Sequence, residues 1–162
     1  MDQRKLSLLL KIVIIGVALC AAAVYLWIVP EVCGRPLAEA GDGEFAHLFI
    51  PWLIIISVTA LPVAAALVLA WLIAANIGRG RSFCPQNAKY LSVIALLAGI
   101  DAAYFFAASV ILMIVTRVWH PGAVLLVLFA CFAGAAICVA AAALSHYAYK
   151  AAALQEQSDL TI

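Results

Sequence analysis

Four stretches of this chain, at about residues 12–29, 48–77, 91–116 and 123–149, run for membrane length with scarcely a charge in them. A bilayer span needs about 20 apolar residues at about 1.5 Å rise per residue, and all four come up to or near that length. Each run is continuously apolar, whereas barrel strands of about ten residues alternate, so helices are the expected element. Composition agrees: 69% of the residues are hydrophobic and 10% charged, against roughly 45–50% and about 25% in soluble domains. A soluble core of this size could not hide so much apolar surface. The expected fold is all-α: a polytopic membrane protein, a four-transmembrane-helix bundle in one membrane domain over residues 1–162.

Charge sorting sets the orientation. Arg4, Lys5, Lys11, Arg79, Arg81, Lys89 and Lys150 flank one set of helix ends, and only Arg35 and Arg117 flank the other. By the positive-inside rule both termini and the connector 78–90 face the cytoplasm, while the connectors 30–47 and 117–122 lie outside. The protein is therefore expected in the cell membrane, with a cytoplasmic tail at 150–162. Cations placed as topology signals leave no basic face for direct nucleic-acid binding. The first apolar run resembles a signal peptide, but Ile28-Val29-Pro30-Glu31 follows it instead of a small-x-small cleavage site, so it is expected to stay as an anchor.

The outer connector holds Glu31, Glu39, Asp42 and Glu44 against Arg35, with Gly34, Pro36, Gly41 and Gly43 as breakers, the pattern of a solvated loop. Cys33 is its one cysteine and has no outer partner, which points to an intermolecular bridge, and so a homodimer, or to a free thiol. In the second span Pro62 removes an amide donor and frees the carbonyl of Val58, so a bend is expected there, with Ser57 and Thr59 nearby to satisfy the backbone.

Asp101 is the one acid at membrane depth. Burying its charge alone would cost at least about 2.5–3.5 kcal/mol, so it should face the bundle, paired or protonated. Arg117 is sixteen residues along the same helix, about 24 Å away, and out of reach. Tyr104, Ser57, Thr59 or the carbonyl freed by Pro62 are the expected partners. Asp101 then serves either as a proton or cation site or as a neutral hydrogen-bond donor between helices. Small residues repeat every four positions at Ala95, Gly99, Ala103 and Ala107, and again at Ala130, Gly134, Cys138 and Ala142. Such stripes let helices approach closely in lipid. Asp101 lies opposite the first stripe, which would make the third helix central.

Familiar chemistry is missing. Cys20, Cys33, Cys84, Cys131 and Cys138 form no C-x-x-C pair, and His47, His120 and His146 are assigned to outer, outer and inner ends. No Walker lysine, nucleophile elbow or H-E-x-x-H occurs. The chain reads as non-enzymatic, without cofactor or metal. A small proton-coupled transporter, or an immunity-type protector using Asp101 or the acidic outer loop, is the alternative.

Two cytoplasmic stretches carry a resemblance. Gly80, Phe83, Asn87 and Leu91 resemble the G-x-PF-x-x-x-N-x-x-x-L signature after the second span of the DUF2975 family, with Ser82 where that family more often has Pro. The ending Asp159-Leu160-Thr161-Ile162 is similar to the family's D-L-T-I or D-L-T-V tail. The resemblance implies an uncharacterised four-span bacterial membrane protein, often encoded beside a small helix-turn-helix regulator. Both motifs fall on the expected cytoplasmic side. There Arg79, Arg81, Phe83, Asn87, Asp159, Leu160, Thr161 and Ile162 are the candidate docking residues for such a regulator, and Asn87 is expected to tie the loop to a neighbouring helix end.

Overall fold

The structure, a computed structural model, describes residues 3–31, 48–82, 84–119 and 121–159. Most of the acidic connector with Cys33 lies outside the described residues, as do Phe83, His120, Leu160, Thr161 and Ile162.

Four helices make up the described residues almost entirely. α1 covers Gln3–Ala23 and passes through a π turn, Val24–Ile28, before ending at Glu31. α2 is Phe49–Gly78, α3 is Pro85–Thr116 and α4 is Pro121–Asp159. All four are long and apolar enough to cross a membrane. In hydrocarbon a helix satisfies its own backbone hydrogen bonds, which is why runs of this composition fold this way.

The helices overrun the apolar stretches at several ends. α1 begins at Gln3 rather than near 12, α3 at Pro85 rather than 91, and α4 continues to Asp159 rather than stopping near 149. Hydropathy ends at the headgroups, but a helix ends where a stop signal stands. Residues 150–159 are alanine-rich with Leu, Gln and Glu, all good helix formers. True stops appear elsewhere. Gly80, at φ +77, turns the chain after α2. Pro85 opens α3 in its first turn, after Cys84 in an extended conformation, where a missing amide costs nothing. Arg117, at φ 57, ends α3 in the left-handed region. Pro62 sits inside α2, and the helix continues through it.

Contacts of any extent run in chain order: α1 on α2, α2 on α3, and α3 on α4. Large side chains such as Leu26, Phe129, Phe132 and Val115 point outward, while the buried positions are mostly small: Ala74, Ala88, Ala95, Ala141, Ser109 and Ser145. A water-soluble bundle would do the reverse. Between helices in lipid no hydrophobic drive operates, and close approach of small residues replaces it.

The α3–α4 seam keeps Ala95, Gly99, Gly134 and Cys138 of the four-residue stripes and corrects the rest. Ala103, Ala107, Ala130 and Ala142 are exposed. Ala88, Ala95, Ser109 and Met113 are buried on α3, and Val127, Ala141 and Ser145 on α4. Between them Gly134 abuts Ala102, Gly99 abuts Cys138, and Cys131 lies against the carbonyl of Ala102. On α4 the steps from Val127 through 131, 134, 138 and 141 to Ser145 alternate four and three, a heptad seam. At about 100° per residue a fixed step of four drifts about 40° each time, whereas alternating steps stay aligned with a partner helix.

Candidate functional site

The loop between α2 and α3 is pinned by one buried amide. Asn87, 3% exposed, accepts a hydrogen bond at Oδ1 from Asn76 Nδ2 at 2.8 Å. Its own Nδ2 donates to the carbonyls of Arg81 and Ser82, both at 3.1 Å. The backbone N–H of Asn87 donates to the Cys84 carbonyl at 3.0 Å, and those of Gly80 and Arg81 return to Ile77 and Asn76. An amide has two donors and two acceptor sites in one plane, which suits it to tie two helix ends and a loop at a single point. Arg79, Arg81 and Lys89 remain exposed around this knot. Asn87 does hold the loop to the end of α2, and its burial removes it from any docking surface.

Neighbouring helices are locked at the same end. Ser7 Oγ donates to the Ala74 carbonyl at 2.7 Å across α1 and α2. Gly78 lies so close to Ser7 that a Cβ there would stand 2.6 Å from its hydroxyl. Lys11 Nζ sits 5.4 Å from the Trp71 ring centroid, within cation–π range. Ser145 Oγ donates to the Ala88 carbonyl at 2.8 Å across α3 and α4. Seven residues further, Ala152 is buried too, so the extension of α4 packs against the protein instead of standing free. The start of α3 and the later turns of α4 thus lie together at one end of the bundle.

A second site lies within the apolar depth. A cleft of about 590 Å³ opens between the π turn of α1 and α2, α3 and α4. Three of its lining side chains are polar: Tyr25, Thr59 and Asp101. The π turn helps to place Tyr25. The Val29 N–H reaches back five residues to the Val24 carbonyl, bringing Val24, Tyr25 and Val29 onto the cleft, and such turns recur where a side chain must be re-aimed. Thr59 Oγ1 donates its one proton to the Ile56 carbonyl at 2.7 Å. Tyr25 must therefore be the donor in the 2.8 Å Tyr25–Thr59 hydrogen bond. Asp101 has no hydrogen-bond partner among the described residues.

The expected partners of Asp101 are accordingly revised. Thr59 shares the cleft but is committed to Tyr25 and Ile56. Ser57 is exposed, because two residues on a helix separate side chains by about 160°. Tyr104 is absent from the lining. At about 100° per residue, Ala98, Ala102 and Phe105 lie to one side of Asp101 and Tyr104 falls to the other. Tyr25, Asn76, Ser7 and Ser145 were missed from sequence. A usable signal existed, since hydroxyls and amides inside apolar runs commonly hydrogen-bond across helices.

Among proteins compared with this chain, a family model described as a protein of unknown function (DUF2975) matches residues 37–162. No curated protein and no solved structure matches.

Proposed function

The chain belongs to the DUF2975 family, and on that premise we propose that it is a non-enzymatic, multi-pass protein of the cell membrane that docks a soluble partner at the cytoplasmic face. The docking surface comprises the α2–α3 loop and the C-terminal tail, and the partner class is the helix-turn-helix regulator implied by the family resemblance. One observation carries the reading. Ala152 is buried seven residues beyond Ser145, which bonds the Ala88 carbonyl one residue after Asn87, so α4 stays packed past the span at the end of the bundle that holds the loop, which favours one preformed surface. Preformed surfaces bind without first losing loop entropy. Arg79, Arg81 and Lys89 surround it and suit a partner with an acidic face. The same cations favour the cytoplasmic orientation.

The test is retention of the co-expressed regulator in washed membranes. Removing residues 155–162, or combining Arg79→Glu with Arg81→Glu, is expected to lower retention at least fivefold at equal membrane levels of the protein. Unchanged retention refutes docking. A membrane-impermeant thiol reagent is expected to leave Cys84 unlabelled on intact cells, and labelling would invert the orientation. The alternative, a small proton-coupled transporter, has the position of Asp101 in the cleft in its favour. Asp101→Asn would abolish proton-coupled flux in that case and leave regulator retention intact.

A further inference from the structure

We propose that the intramembrane cleft binds a hydrophobic monocation that enters from the bilayer, with Asp101 as its counter-charge. This site is separate from the docking surface and does not depend on it. The cleft volume, about 590 Å³, falls in the roughly 300–1,000 Å³ range of small-molecule sites, as does its plan of apolar walls with few polar groups. Small residues make the room: Ala66, Ala70, Ala98 and Ala130 all face it. Of its polar groups, Tyr25 and Thr59 bond to each other and to the backbone, which leaves the Asp101 carboxyl as the one without a partner among the described residues.

Depth and donor number select the occupant. Asp101 stands sixteen residues from the start of α3 and fifteen from its end, about 23 Å of helix either way. A solute reaching it from the side must be soluble in hydrocarbon. Hard cations need about six to eight oxygen ligands, and one carboxylate beside two committed hydroxyls falls far short. A cation that carries its own apolar shell needs only one opposite charge and a greasy wall, and the Tyr25 ring adds a cation–π face. An anion of the same shape would meet Asp101 unfavourably, and a neutral lipid chain would gain nothing from it.

Equilibrium dialysis of the detergent-purified full chain against tetraphenylphosphonium tests this. Saturable binding is expected, weakened at least tenfold by Asp101→Asn and restored to within threefold by Asp101→Glu. Tetraphenylborate, an anion of matching shape, should not compete. Ala66→Phe, which narrows the cleft and leaves Asp101 in place, should also weaken binding, and it carries the test if Asp101→Asn does not yield a monodisperse protein. Equal binding by the wild type and Asp101→Asn, equal competition by tetraphenylborate, or uptake that never saturates would each overturn the proposal. So would a dimer that buries Asp101 and ignores the phosphonium ion, since the cleft would then belong to a second copy of the chain.

Discussion

Replacing Asn87 with alanine removes three side-chain hydrogen bonds at once, to Asn76, Arg81 and Ser82, from a residue that is almost fully buried. At about 1 kcal/mol net for each, the upper limit is about 3 kcal/mol. The carbonyls of Arg81 and Ser82 border an exposed loop and can turn to water, so about 2 kcal/mol is the expected loss. The effect should be local opening of the loop and the first turn of α3, rather than separation of the helices. Cys84 reports it directly: it is half-buried, caps α3, and accepts the backbone bond from Asn87. If the thiol reacts only when the loop opens, about 2 kcal/mol corresponds to a rate increase of about 30-fold, at 1.36 kcal/mol per factor of ten. The assay is maleimide labelling of the purified protein, read at the Cys84 peptide by mass spectrometry. Asn76→Ala removes one of the three bonds and should accelerate labelling about fivefold. Gln86→Ala is the control, because the Gln86–Tyr90 bond is exposed and worth little. An Asn87→Ala rate within twofold of the Gln86→Ala rate would refute the idea that this amide holds the loop.

Two further predictions concern the α3–α4 seam, both measured as thermal stability in detergent. Gly134→Ala puts a rigid methyl 2.9 Å from the Ala102 Cβ and should cost about 1–3 kcal/mol. Gly99→Ala meets only the Cys138 thiol at 3.2 Å, which can rotate, so better helix propensity should leave it near neutral; the reverse order would contradict the seam. Ser109 is fully buried with no hydrogen-bond partner for its Oγ among the described residues, and Ser109→Ala should be neutral or stabilising by up to about 1 kcal/mol. Ser145→Ala breaks the bond to the Ala88 carbonyl and should cost about 0.6–1.7 kcal/mol. Equal losses from the two serines would contradict their different settings.

The candidate site was legible only in part. Asp101 stood out because a lone acid in an apolar run is costly wherever it points, and Asn87 because it belongs to the stretch that resembles the family signature. Their partners were hidden. Tyr25 and Thr59 are separated by 34 residues, Ser145 and Ala88 by 57, and Ser7 and Ala74 by 67, so no local pattern joins them. Ser57 and Tyr104 looked as suitable as Thr59 until the helix faces were known.

From sequence alone come the number of spans, their helical state and the side on which positive charge gathers. These follow from transfer free energies that each stretch carries by itself, whatever its neighbours do. Which faces meet is a different matter. With alanine on every side of α3 and α4, many close-packed seams are compatible with the sequence, and the four-residue stripes are used only at Ala95, Gly99, Gly134 and Cys138. Packing all four helices together selected the heptad seam, re-aimed Tyr25 through a π turn, and left Asp101 facing a cleft without a partner. Those outcomes depend on how rigid rods of fixed pitch fit against one another, a property that belongs to the assembly and to no single segment.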